Sequence, residues 1–183
     1  MPANKVKYNL KNVHYAVLNT ADGTYGTPVA IPGAVSLSLS PETSDYIFYA
    51  DGVNYYEYHN NNGYTGDLEI ALIPQSFKVD VLGEAVDTNN NLVETTGVQT
   101  TYFAFGFQFD GDQTETRYWF YKASATRPEL AGQTNEESIE VQTETLNLTI
   151  SANDDGEVKI CSTDATSEAD LEAWFNAVVA SDF

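Results

Sequence analysis

Basic side chains are scarce: 8 Lys and Arg stand against 27 Asp and Glu, a formal net charge of −19. Ordinary nucleic-acid binding by phosphate neutralisation needs a concentration of cations, and this chain lacks one. Cysteine is nearly absent. The single thiol, Cys161, has no partner within the chain, so the fold does not depend on oxidation. Histidine occurs twice, at His14 and His59, far apart and without a spaced set of Cys, His or Asp, so no metal-ligand pattern is present. Long apolar runs are missing as well. Residues 1–18 carry Lys5, Lys7 and Lys11 but no continuous apolar segment, and no stretch elsewhere approaches membrane-spanning length. Neither a signal peptide nor a membrane anchor is expected.

Catalytic signatures are lacking too. The sequence has no nucleophile elbow, phosphate loop or redox cysteine pair. Asp110, Asp112 and Glu115 resemble the start of a calcium loop, but the distant Glu that completes such a loop is absent, and a hairpin turn explains them. Glu140 and Glu144 are two carboxylates with no cleft to make them an acid and a base. The chain is expected not to be an enzyme and to need neither cofactor nor metal.

What the sequence does contain is alternation punctuated by turns, in a length of 183 residues that suits one domain with a sizeable core. In the stretch 61–83, NNGYTGDLEIALIPQSFKVDVLG, Leu68, Ile70 and Leu72 point one way and Asp67, Glu69 and Ala71 the other, the two-residue period of a half-buried strand. Pro74 ends that strand. The spacing of Phe77, Val79, Val81 and Leu82 then predicts a short helix over 75–82, with Gly83 placed for a left-handed cap.

Other strands follow the same logic. Residues 13–18, VHYAVL, read as a strand after a flexible basic tip, with His14 a packed or partly exposed strand residue. Residues 35–40, VSLSLS, form a one-sided strand, and 41–45 read as a turn. YIFY at 46–49 and VNYYEY at 53–58 flank Asp51-Gly52, the most credible local hairpin. Residues 84–99 read as a loop or a weak hairpin. In TYFAFGFQF at 101–109, Phe103, Phe105, Phe107 and Phe109 share one face and read as core.

Tyr46, Tyr49, Tyr55, Tyr56 and Tyr58 make the hairpin unusually aromatic. Interleaved with asparagine, these rings suit either a sugar platform or a subunit contact, and their place on a strand pair favours contact. Over 139–152 the apolar parity slips: Ile139 and Val141 are odd, Leu146, Leu148 and Ile150 even. One long strand with this slip requires a bulge, a bend or a change of sheet. Ser167 and Asp170 form a capping pair ahead of a terminal helix whose face holds Leu171, Trp174, Phe175, Val178 and Val179. That helix would cover a sheet edge or dock on a neighbour. The fold expected is therefore mainly β, two packed antiparallel sheets in a sandwich or barrel-like arrangement with a short flanking helix and a C-terminal helix. Residues 1–163 would form the β domain and 164–183 the helical segment.

Five blocks, NKVKYNLKNVHYAVL at 4–18, YGTPVAIPGAVSLSLSPE at 25–42, FYADGVNYY at 48–56, NNGYTGDLEIALIPQSFKVDVLGE at 61–84 and ESIEVQTETLNLTISA at 137–152, are together similar to the major tail proteins of long-tailed phages of Gram-positive hosts. Their order and spacing carry the resemblance. It implies a tail-tube subunit of the virion, assembled in the host cytoplasm, with six copies closing into a ring and rings stacking into a hollow tube. Tape measure and tail terminator or adaptor proteins would be its partners, and DNA would pass without sequence-specific binding. The aromatic hairpin and the loop 84–99 would then be candidates for contact between subunits or rings.

Within that resemblance the charge acquires a use. An acidic wall repels the phosphate backbone and keeps a moving duplex near the channel axis, whereas each neutralising contact would resist sliding. Asp67, Glu69, Glu140 and Glu144 are the candidate channel-facing acids. Tyr46, Tyr49, Tyr55, Tyr56, Tyr58, Trp174 and Phe175 are the candidate subunit contacts. A carbohydrate-binding or adhesion β-sandwich is the alternative, which would display its tyrosines in one patch.

Overall fold

The computed structural model describes residues 4–134 and 140–182. It is mainly β, with two antiparallel sheets, a short helix beside them and a C-terminal helix, in agreement with the fold expected from the sequence. The sheets are unequal. The larger has nine strands, in the spatial order β2 (Thr24–Tyr25), β1 (Lys7–Asn19), β8 (Phe103–Gly111), β9 (Thr116–Ala125), β10 (Glu144–Ser151), β5 (Val53–Ile70) and β4 (Ala34–Ala50). Off that path, β3 (Val29–Ala30) pairs with β1 and β11 (Lys159–Cys161) with β9. The smaller pairs β6 (Ala85–Val86) with β7 (Leu92–Val93), so 84–99 is a hairpin. Strand β1 also touches β4, so the large sheet curls until its two ends approach.

The concave side of the curl holds the main core. Phe103, Phe105 and Phe107 of β8 meet Leu146, Leu148 and Ile150 of β10, and Leu68 and Ile70 of β5, all buried. Helix α1 (Gln75–Asp80) closes the curl. Its Phe77 stands edge-on to Tyr15 and Phe103, and Val81 and Leu82 follow it into the core. The helix ends two residues sooner than the apolar spacing predicts, because Leu82 N–H still reaches back to the Phe77 carbonyl while Glu84 N–H spans to Lys78. Gly83, with φ +74°, makes the left-handed exit. Each fully buried aromatic or aliphatic side chain here contributes on the order of 1.5–3 kcal/mol through apolar area removed from water.

The convex side of β1, β8 and β9 carries a second core. Ala16, Ala104 and Trp119 pack against Trp174, with Phe175, Val178 and Val179 at the margin. Both faces of β8 are therefore buried, including Ala104 and Gln108, which alternation places opposite the phenylalanines. Gln108 is satisfied there at its carbonyl, which accepts from Asn12 at 3.0 Å and from Arg117 at 2.9 Å, while its buried amide nitrogen has no partner among the described residues.

Four segments depart from the sequence reading. The strand expected to run to Pro74 ends at Ile70, because Ala71 N–H turns to the Gly33 carbonyl and Ile73 N–H to Glu144. Leu72, expected on the buried face with Leu68 and Ile70, is 67% exposed, and Ile73 is buried in its place. Residues 41–45 are not a turn: β4 runs straight through Pro41, which pairs opposite Tyr64. As the last strand of the sheet, β4 tolerates a residue without an N–H. The tip at 7–12 is strand, not a flexible arm, with register shifts where Asn9 and Asn12 take positive φ. Asparagine is one of the few residues that visits this region readily. The strand expected from 139 begins at Glu144, so Val141 and Glu140 precede it; Ile139 lies outside the described residues.

Candidate assembly surfaces

Beyond Tyr64 on β5 and Pro41 on β4, the two strands leave the body and continue as a ribbon to the Asp51-Gly52 turn. Asp51 at φ +53° and Gly52 at φ +76° supply the two left-handed residues that a tight two-residue hairpin turn requires. Residues 42–50 of β4 and 53–63 of β5 extend past Pro41 and Tyr64, a reach of roughly 30 Å at about 3.3 Å per residue. Both faces of this ribbon are bare: Tyr49 is 65% and Tyr55 70% exposed, and Tyr46, Phe48, Tyr56 and Tyr58 are about half exposed or more. Phe48 and Tyr55 meet edge to face at 6.5 Å, and this local contact leaves most of the aromatic area in water. All five tyrosines singled out in the sequence thus share one protruding element.

Nearer the body, His59 braces the ribbon. Its Nδ1 lies 2.7 Å from Asp45 across the strand pair and its Nε2 3.3 Å from Glu57. The hydrogen bond to Asp45, then the Asp45 charge, raises the imidazole above its ordinary 6.5. The sequence showed His59 only as an isolated histidine; its two carboxylates sit across the hairpin and next but one along the strand.

The four candidate acids do not form one group. Asp67 and Glu69 stand on the same outward face of β5, opposite Ser38 and Ser36 of β4 and Asn147 and Thr145 of β10. Asp67 is exposed. Glu69 accepts from Thr143 at 2.8 Å and from Ser36 at 2.9 Å, and these two bonds hold its carboxyl below the usual range, so it stays ionised. Glu144 is turned to a structural task, accepting from the backbone N–H of Ile73 at 2.5 Å where the chain leaves β5. Glu140 precedes β10 and accepts from Gln133 at 2.6 Å. Trp174 and Phe175 face their own sheet: the Trp119 indole N–H donates to the Trp174 carbonyl at 2.9 Å, and Phe175 stacks on His14 at 4.6 Å. The helix expected there is short, α2 (Glu168–Ala173), capped by Ser167 accepting from Asp170 N–H. The tryptophan and phenylalanine that follow it pack from a turn.

A cleft went unnoticed in the sequence. Near the C-terminal end of β1, a cavity of about 900 Å³ opens between the sheet and residues 178–181, with Tyr25, Tyr102 and Tyr121 on its walls and Asp154, Asp155 and Glu157 at its mouth. Burial, then the negative charge of Glu157, pushes Tyr25 and Tyr121 up to about 12, so both hydroxyls remain donors. Lys122 pairs with Asp154 at 3.2 Å while lying over the Tyr102 ring at 5.3 Å.

Among the described residues, no set of three or more His, Cys, Asp or Glu side chains is placed to hold a metal ion, and no helix is long and apolar enough to cross a membrane. No protein-family model matches the chain, and no curated protein matches it. Among solved structures, the fold is similar to a chain in the cryo-EM structure of the anti-feeding prophage (AFP) baseplate, 6-fold symmetrised. The TM-score is 0.50 at 15% identity, over 91% of this chain and 100% of that one.

Proposed function

We propose that this chain is a structural subunit of a phage-type tail or baseplate assembly, and that it works by associating with further copies of itself. The observation that carries the reading is the bare aromatic ribbon. Isolated two-stranded hairpins are marginal in water, and contiguous exposed apolar surface of this size marks an interaction site. Likeness of fold to a chain of the AFP baseplate supports the same reading. The tail-tube form of the proposal places six copies in a ring, rings in a stack, and Asp67 with Glu69 on a lumen that DNA crosses without being held. Their shared face supports that placement, since it is polar, flanked by Ser36, Ser38, Thr145 and Asn147. Glu144, paired opposite the buried Ile70 and bonded to the Ile73 N–H, and Glu140, which precedes β10, are left out of it. Tape measure and terminator or adaptor proteins remain the partners expected of such a subunit, and no catalytic step is assigned.

A second reading, a carbohydrate-binding or adhesion module, draws on the same tyrosines interleaved with Asn54, Asn60 and Asn61. The two separate in one experiment. Replacing residues 43–61 by a short Asn-Gly turn leaves the core intact, and light scattering after size exclusion then compares it with the full chain. Loss of oligomers on shortening supports the structural subunit. A full chain that is monomeric at every concentration, yet binds a glycan panel through Tyr49 and Tyr55, supports the module instead.

A further inference from the structure

Among the described residues, Lys5, Lys7, Lys78 and Lys159 have no ion pair; Lys5 and Lys7 lie together at one end of the sheet, and the tyrosine cleft lies at the other. Lys5 and Lys7 are exposed beside the exposed Val6 and Tyr8, where β1 begins. This edge is built rather than loose. Asn4 accepts from the backbone N–H groups of Gln113 and Thr114, both at 2.9 Å, and Asp112 accepts from Lys5 N–H at 2.7 Å. The neighbouring acids are already engaged: Asp110 by Lys11 and Asn9, Glu115 by Lys11 and Arg117, Asp112 by the Lys5 and Val6 backbone. Lys5 and Lys7 are left to present positive charge outward, although Lys7 also reaches over the Phe109 ring at 4.8 Å.

The cleft sits beside Leu18, at the far end of the same strand. Eleven residues of strand separate Lys7 from Leu18, roughly 30 Å or more, so a chain cannot fill its own cleft. The cleft suits a cationic guest. Asp155 lines it with no side-chain partner among the described residues, Asp154 is 88% exposed, and Lys122 already shows the binding mode, an ammonium held between a carboxylate and a tyrosine ring.

We propose that copies of this chain join end to end, with the Lys5–Lys7 edge of one copy seated in the Tyr25–Tyr102–Tyr121 cleft of the next. The joint rests on the self-association reading above and adds a second, independent contact to it. Because the two surfaces differ, the contact is head to tail, and such contacts propagate into open stacks when rotation does not close them. The aromatic ribbon then serves lateral contacts and the charged ends serve axial ones. Electrostatic matching of this kind also fixes polarity, since two like ends repel.

Complementary charge reversal tests it. Lys5→Glu with Lys7→Glu spoils the edge and leaves the cleft; Asp154→Lys with Asp155→Lys spoils the cleft and leaves the edge. Sedimentation velocity on each chain alone is expected to show association weakened at least about tenfold, and an equimolar mixture to recover it, because each chain then offers what the other lacks. Circular dichroism of each variant checks that it is folded, and recovery on mixing shows it directly. If each variant associates as the unaltered chain does, or the mixture stays as dispersed as its parts, the joint is wrong while self-association stands. An unaltered chain that stays monomeric under every condition overturns both.

Discussion

Gly63 has no room for a side chain. Its φ is +108°, and a Cβ built there would fall 1.9 Å from the Ile150 carbonyl oxygen, whereas Gly52 at the hairpin turn, φ +76°, faces open space. Gly63→Ala is expected to cost roughly 2–4 kcal/mol, from strain and collision together, and Gly52→Ala about 1 kcal/mol from backbone strain alone. Urea unfolding of the two variants checks this, and equal losses would contradict it. His59 gives a second residue-scale test. Its folded pKa is raised by Asp45, so the brace it provides is complete below 6.5 and is lost as pH rises through the higher folded value. An NMR titration of the His59 ring should show a midpoint above 6.5 that falls in Asp45→Asn. A midpoint unmoved by that substitution would remove Asp45 as the cause.

Elements show where sequence reading succeeds and where it stops. Strands β5 and β8 and the core half of β10 were legible because one face of each meets the main core, and that burial writes itself into alternation. Strand β1 was half hidden because Asn9 and Asn12 sit at register shifts that break the two-residue period. Pro41 misled because a proline excludes only an inner strand, and edge position is a property of the sheet, not of its neighbours in sequence. The tyrosines of the ribbon were visible as composition. That they stand in water was not, since alternation looks the same whether a face meets its own core or nothing. The cleft had no local signal, as its walls come from residues near 25, 102, 121 and 155. The terminal segment was legible in its apolar residues but not in its short helix. Because Trp174 closes the second core over Trp119 and Ala104, Trp174→Ala should lose about 3–5 kcal/mol and raise binding of a hydrophobic dye. An unchanged unfolding midpoint would mean that the segment does not depend on this contact.

At the scale of the whole molecule, a net charge of −19 acts on every copy at once. Self-repulsion should destabilise the compact chain, and salt relieves it by shortening the screening length from about 30 Å at 0.01 M to about 8 Å at 0.15 M. The melting temperature is therefore expected to rise over that range, and a fall would show that ion pairs such as Lys11–Asp110 outweigh the net repulsion. On the self-association reading the same acids would govern how copies meet, since the ribbon offers contact area without cations and Asp67 stands exposed beside the half-buried Glu69. Electron microscopy of the purified chain across concentration and salt tests the central claim most directly. The expected result is hollow, rotationally symmetric particles, with the ribbon between neighbours and the Asp67–Glu69 face turned to the lumen. Single dispersed chains under every condition, or particles whose Asp67–Glu69 face points outward, would contradict it.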